Sequence, residues 1–221
     1  MKPRHLLALA LLAATAAPAA AQSSSRAGQS EFYFAPVFTQ GKDLSLEGGT
    51  KASTATGTGF SLGWAYNFDA RLAAGIDFAW SWMDYRANLA GGPGNTNNFA
   101  QINGSVETGT VRFNGTYNFF PGDFTPFITG GLGWTHVYTD VPTGPPQNVC
   151  WFYPWYGLVC NGYVPTANTT KFSYNAGLGV RKDFGPYFVR GLFNAQWMDL
   201  GGSAGQEYWP QFRFDIGLKF R

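Results

Sequence analysis

Few residues in this 221-residue chain are of a type to do covalent or metal chemistry: two histidines, His5 and His136, and two cysteines, Cys150 and Cys160. A hydrolytic site needs a nucleophile, a base and an orienting acid within reach of one another. His5 lies in the leader described below, which leaves His136. That histidine alternates with Leu132, Trp134 and Tyr138, and its same-face neighbours along the segment include no serine. Geometry comes before pKa for a catalytic base, so His136 reads as a residue of an apolar interface, and no catalytic residue is assigned. The cysteines stand ten positions apart in CWFYPWYGLVC, without Cys-x-x-Cys spacing. An even pair in an exported chain reads as a disulfide, stabilising its loop by roughly 3 kcal/mol or somewhat less on the chain-entropy estimate. Neither a metal-ligand cluster nor a phosphate-cradling glycine loop stands out, so no metal and no cofactor are expected.

Two further groups could bind rather than react. Arg71, Asp77, Arg112, Arg181, Arg190, Arg213, Asp215 and Lys219 fall on the polar face of alternating segments. Buried charges must be paired or hydrated, which makes these an interior ion-pair network with trapped water. Their surplus of arginine also leaves room for a narrow, gated, anion-preferring pore. Glu107 is a further interior candidate, conditional on a parity slip between Val106 and Val111 such as a bulge produces. The second group is Trp151, Phe152, Tyr153, Trp155 and Tyr156, between the cysteines, in a link carrying prolines at 142, 145, 146, 154 and 165. A rigid, exposed aromatic patch marks a binding surface; the alternative is that these side chains fold back onto the rim of the fold or onto a lipid head-group layer.

The elements that must position these groups have a period of two. In GTGFSLGWAYNF, Phe60, Leu62, Trp64, Tyr66 and Phe68 share one face, while Gly59, Ser61, Gly63, Ala65 and Asn67 share the other. Alternation this strict marks a strand between two different surroundings. The same pattern recurs around Leu72–Trp82, Val111–Phe119, Ile128–Trp134, Phe172–Val180, Tyr187–Trp197 and Phe212–Phe220. A first strand from Glu31 is apolar on both faces and contains Pro36, a residue usually found at a sheet edge or bulge. Eight strands are counted. Short links at 67–70, 120–126 and 182–186, rich in turn residues, alternate with long ones at roughly 41–56, 84–100, 139–168 and 199–206. The long and short links therefore lie at opposite ends of the sheet, and Tyr66-Asn67-Phe68 before one short link repeats as Tyr117-Asn118-Phe119 before the next. The stretches GGPGNTNN at 91–98 and 48–57 read as plain flexible connections.

Lys2 and Arg4, an apolar run from Leu6 to Ala17 and the small residues Ala19-Ala20-Ala21 form the pattern of a secretory signal peptide, with cleavage near Ala21. The apolar run is shorter than the roughly 20 residues of a spanning helix. The chain has 15 basic and 13 acidic residues, so without Lys2 and Arg4 it is neutral. That balance argues against a nucleic-acid partner held by a basic surface. Charged residues make up only 13% and aromatic residues 18%, against about a quarter charged in a typical soluble domain. The face opposite the aromatic one is Gly, Ser, Ala and Asn with a few charges, too small and neutral to meet water. An apolar exterior around a small, polar interior is the transmembrane-barrel arrangement, and in lipid such a sheet must close on itself. Trp80, Trp82, Trp134, Tyr138 and Trp197 lie beside the long links; Phe68, Phe119, Phe120, Phe127, Phe184 and Phe220 lie by the short ones or the C-terminus. Two aromatic girdles at the membrane interfaces are expected of such a barrel.

On the residues FTPFITGGLGW (124–134), YNAGLGVRKDF (174–184) and FRFDIGLKFR (212–221), the chain resembles the small eight-stranded outer-membrane β-barrels of Gram-negative bacteria, opacity-like proteins among them. The resemblance covers nearly the whole mature chain and lies in pattern more than in invariant residues. It implies export to the outer membrane, lipid and lipopolysaccharide as surroundings, long links facing out of the cell, and a terminal strand read by the barrel-assembly machinery. The family's terminal signal usually ends on an aromatic residue; here Phe220 is followed by Arg221. The expected fold is all-β, an eight-stranded antiparallel up-and-down transmembrane barrel, with a signal peptide at 1–21, a periplasmic lead-in at 22–30 and the barrel at 31–221. The expected role is a surface protein with a structural or adhesion-type function through its outer loops. A narrow pore is the alternative, and a lipid-modifying enzyme comes third.

Overall fold

The computed structural model describes residues 26–45, 51–89, 100–142, 145, 147–155, 157–199 and 206–221. The leader, the stretch 91–98 and Tyr156 lie outside the described residues. The chain before the central hairpin runs β1 (Ser30–Thr39), β2 (Asp43–Ser45), β3 (Lys51–Thr54), β4 (Gly57–Asn67), β5 (Leu72–Leu89), β6 (Ala100–Asn118) and β7 (Phe124–Pro142). It continues through β8 (Gln147–Tyr153), β9 (Gly157–Tyr163), β10 (Thr166–Phe184), β11 (Tyr187–Asp199) and β12 (Gln206–Phe220). No helix occurs among the described residues. The strands β1, β4, β5, β6, β7, β10, β11 and β12 pair antiparallel in chain order, and β1 pairs with β12 to close an eight-stranded barrel. The small strands β2 and β3 extend the sheet beside β5, whereas β8 and β9 form a separate two-stranded sheet.

The period of two settles which side faces in. Along β4, Gly57, Ser61, Gly63, Ala65 and Asn67 are buried while Phe60, Leu62, Trp64 and Tyr66 are exposed. Along β12, Gln211, Arg213, Asp215 and Lys219 are buried while Phe212, Phe214, Ile216, Leu218 and Phe220 are exposed. Charged side chains inside and phenylalanines outside reverse the soluble order and match a barrel that crosses a membrane. Every barrel strand is paired with a neighbouring strand on both sides, as hydrocarbon surroundings demand.

Several sequence expectations are corrected. Pro36 lies in a strand paired on both sides, with neither an edge nor a register shift: Phe34↔Ile216 and Val37↔Arg213 keep one register across it. It points outward, and the ladder to β12 simply omits positions 35 and 36. No slip occurs near Val106 either, because β5 and β6 keep one register from Leu72↔Tyr117 to Leu89↔Ala100. Glu107 therefore shares the outer face with Val111 and Phe113 and is not an interior partner. The long link at 139–168 is mostly strand, and residues 84–89 of the link at 84–100 continue β5, since β5, β6, β7 and β10 run beyond the aromatic belt. Outside the membrane both faces are wet, so hydrophobic alternation fades while the hydrogen-bond ladder persists.

Short turns close the opposite end. Asp69 Oδ1 accepts from Arg71 N at 2.6 Å and Leu72 N at 2.7 Å, a local side-chain turn of the kind aspartate favours. Gly185 adopts φ +61° before Pro186, a left-handed conformation that glycine takes without strain. The repeated Tyr-Asn-Phe now has a structural meaning. Each copy sends its asparagine inward and sets an edge-to-face pair outside: Tyr66–Phe68 at 5.3 Å and Tyr117–Phe119 at 5.7 Å.

Candidate functional site

The barrel interior is a continuous polar network. Asp77 and Arg112 are direct cross-strand partners, joined at 2.8 Å, and Arg213 reaches the other Asp77 oxygen at 2.9 Å. From Arg213 the chain of charges passes to Asp215 at 3.4 Å and on to its cross-strand partner Arg190 at 2.9 Å. Glu31 then separates Arg190, at 4.0 Å, from Arg181, at 2.6 Å, two arginines that the register places opposite one another. Arg181 also pairs with Asp183 at 2.8 Å, which Lys219 reaches at 3.3 Å and Arg26 at 3.6 Å. Six basic groups thus alternate with four acidic ones, all buried. Each charge meets an opposite charge, the condition under which ions are tolerated in a low-dielectric interior.

Inward aromatics fill the space between them. Arg190 stacks over Tyr33 at 4.4 Å and Phe188 at 4.9 Å, and Arg181 over Phe188 at 4.4 Å. Room for these rings comes from inward glycines: a Cβ on Gly63 would fall 2.1 Å from the Tyr33 ring, and one on Gly217 2.4 Å from Phe188. Above the charges, Asn175 donates to Asn114 and Asn194 at 3.2 Å each, and Gln196 donates to Thr135 at 2.8 Å. An eight-stranded interior is just wide enough for side chains to fill it, and at the level of the charges only about 20 Å³ is left between them.

Seven of the eight charges read from the sequence meet in this network: Asp77, Arg112, Arg181, Arg190, Arg213, Asp215 and Lys219. Arg71 does not. It sits exposed in the turn before β5, where the strand's inside–outside parity has not begun. The sequence reading missed Glu31, Asp183 and Arg26. Asp183 stands two residues from Arg181, and that spacing alone could have placed it inside. Arg26, from the segment expected as a plain lead-in, is fully buried and donates to the carbonyls of Phe120 and Gly122 at 3.0 and 2.8 Å. It ties residues before β1 across the short-turn end of the barrel.

The girdle residues lie at the two ends of the outer face. Phe60–Trp82, Trp80–Tyr138, Trp134–Phe172 and Tyr174–Trp197 form ring pairs at 5.3–6.1 Å on the long-link side. Phe68, Phe119, Phe120, Phe184 and Phe220 are exposed at the other end. Phe127 is the exception: it shares the inward parity of Thr125 and is buried beside Arg190. His136 faces outward, with Nδ1 2.6 Å from Thr170 Oγ1 on the paired strand and its ring against Tyr138. Beyond the belt, Asp140 accepts from the hydroxyl and backbone N–H of Ser105 at 2.7 and 2.8 Å, contacts that hold its carboxyl below the ordinary range.

Outermost stands the β8–β9 hairpin. Cys150 and Cys160 are direct cross-strand partners joined by a disulfide, with Cα atoms 4.0 Å apart. The next pair on that face, Phe152 and Leu158, is 72% and 68% exposed, and Trp155 at the tip is 87% exposed. These three do not fold back onto the barrel. The side chains of Trp151 and Tyr153 lie outside the described set, as does the whole of Tyr156.

No protein-family model matches the sequence, and no curated protein matches it. Among solved structures, the attachment invasion locus protein Ail of Yersinia pestis aligns with a TM-score of 0.51 at 11% identity, over 88% of this chain and 99% of that one. The same protein in complex with the heparin analogue sucrose octasulfate gives 0.50 at 12% identity, over 88% and 99%. Neisserial surface protein A aligns with a TM-score of 0.51 at 11% identity, over 89% and 99%. At such identities the likeness is one of fold: the chain has the fold of the small outer-membrane β-barrels.

Proposed function

We propose that this chain is a surface protein of the Gram-negative outer membrane, with a structural or adhesion-type role carried by the disulfide-closed hairpin. It is exported with removal of 1–21, sits in lipid and lipopolysaccharide through its two girdles, and offers its terminal strand to the barrel-assembly machinery. The observation that carries the reading is the exposed apolar tip of Phe152, Trp155 and Leu158 on a sheet separate from the barrel. Exposed aromatic clusters of this kind, braced by a covalent link, lose little conformational freedom on binding. The ion pairs across the lumen favour this reading over a pore, because a permeating ion would have to part several of them. Nothing in the site favours catalysis: the one histidine of the described residues faces outward and has a threonine for its partner.

The test compares cells displaying the chain with cells displaying Phe152→Ser/Trp155→Ser/Leu158→Ser, both checked for equal surface amounts. Adhesion to matrix-coated surfaces and cell–cell aggregation are scored. Loss of both in the triple variant is expected. Undiminished adhesion and aggregation would overturn the reading.

A further inference from the structure

Above the polar network, in the half of the lumen nearer the long links, lies a cavity of about 150 Å³. Its walls are Met83, Val106, Val137, Met198 and Trp209, over a floor of Gln196 and Gln211. Here the apolar walls enclose open space, whereas the inward aromatics Tyr33, Phe127 and Phe188 lower in the lumen pack against the guanidinium groups. The polar side chains that share the lining are already paired. Gln196 donates to Thr135, Gln211 to Gln196 at 3.1 Å, and Ser81 bonds Thr108 at 2.7 Å. Thr39 accepts from Gln211, and Thr54 accepts from Lys42 N. One polar atom is left over. The indole Nε1 of Trp209, a side chain only 7% exposed, has no hydrogen-bond partner.

A buried N–H without an acceptor is costly and rare. A cavity of this volume has room for a molecule of about the size of benzene. The two features together describe a ligand: an apolar body filling the space, with one acceptor atom to receive the indole N–H. We infer that this cavity binds a small, neutral, single-acceptor molecule of roughly six to eight carbons, a ketone, aldehyde or ester in chemical class. A neutral molecule is indicated because no charged side chain lines the cavity, and Arg112 beneath the floor is held by Asp77 and by the two glutamine oxygens. The two methionines let the walls adapt to more than one carbon skeleton, being unbranched and polarizable. The inference is independent of the hairpin and its adhesive role.

The probe is acetophenone, added to the full chain folded in detergent and labelled with ¹⁵N at its eight tryptophans. Ethylbenzene, nearly the same shape without an acceptor, is the comparison. The Trp209 indole signal is assigned by its disappearance in Trp209→Phe. Expected is a saturable downfield shift of that one indole proton with acetophenone. Ethylbenzene should bind about fivefold more weakly, the equivalent of one net hydrogen bond, and should leave the proton free of any hydrogen-bond shift. Val106→Phe, which fills the cavity, should abolish the saturable response while the barrel keeps its heat-dependent gel mobility. Linear, equal shifts of all eight indoles would mean simple partition into the micelle and would overturn the proposal. So would a Trp209 response that persists in Val106→Phe, or equal affinity for the two probes.

Discussion

Removing the Asp77 carboxylate should be among the most damaging single changes in the barrel. One oxygen accepts from Arg112 Nε at 2.8 Å; the other accepts from Arg213 Nη1 at 2.9 Å and Asn114 Nδ2 at 2.9 Å. Three bonds to the ionised carboxylate at about 1.5–3 kcal/mol each put the gross loss at about 5–9 kcal/mol. Part is returned, because water entering the vacated space can solvate the guanidinium groups. The net cost of Asp77→Ala should then fall at about 3–5 kcal/mol, the range for stripping one partner from a buried ion pair. Asp77→Asn, which keeps the shape and one acceptor, should cost less. The double variant Asp77→Ala/Arg213→Met should cost less than the sum of its singles, since the orphaned cation leaves with the acid. Urea unfolding of vesicle-embedded protein, followed by tryptophan fluorescence and by unboiled gel mobility, supplies the numbers. A cost for Asp77→Ala within about 0.5 kcal/mol of zero, typical of surface substitutions, would refute the reasoning. It would mean that the lumen holds enough water to hydrate its charges, and the pore reading would regain its footing.

Four other outcomes follow from the same contacts. Gly63→Val should lower stability by about 1–3 kcal/mol through overpacking against Tyr33, and Tyr33→Leu in the same chain should recover part of it; equal losses in the single and double variants would deny the pairing. Reduction of the Cys150–Cys160 bond, or Cys150→Ser/Cys160→Ser, should leave barrel unfolding unchanged yet speed proteolysis within 147–163, because β8–β9 is a separate sheet. Asp69 has its carboxyl pKa lowered by hydrogen bonds from the Leu72 and Arg71 N–H groups. Its stabilising contribution is therefore present above the ordinary carboxylate value of about 3.9 and is lost as pH falls through the lower folded value; Asp69→Asn should remove that acid-side dependence from an unfolding titration. In planar bilayers the chain should give no reproducible conductance steps, and steps that vanish in Arg190→Gln/Arg213→Gln would favour a pore.

The barrel was legible because one face of each strand meets hydrocarbon. That demand imprints Phe60-Leu62-Trp64-Tyr66 on β4 and Phe212-Phe214-Ile216-Leu218 on β12, and the opposite face follows by parity. Where the demand stops, legibility stops with it. The extensions of β5, β6, β7 and β10 past the belt are wet on both faces, so they read as loops although their ladders continue. Strand ends mislead as well: Arg71 precedes the first inward position of β5, and Phe127 stands close to a turn yet points inward in phase with Thr125. The network's acids were harder to see than its bases. Glu31 sat in a strand whose register Pro36 obscured, and Asp183 beside a turn. Arg26 carries no periodic signal at all, because its burial depends on the carbonyls of a turn 94 and 96 residues away. The cavity walls were hidden for a similar reason: Met83 follows Trp82 directly, and side-by-side apolar residues conceal which of the two points inward.

The central claim is the direction of the faces, and nitroxide accessibility tests it most directly. Single cysteines at Leu62, Phe78, Phe113, Leu132, Leu178 and Phe214, all exposed on the outer face of six different strands, would be spin-labelled in vesicle-embedded protein. The native cysteine pair stays in its disulfide. Every label should be open to dissolved oxygen and closed to a water-soluble nickel chelate, the signature of hydrocarbon contact. Labels closed to both would mean that the aromatic face is a protein-lined interior, and the barrel would have to be turned inside out.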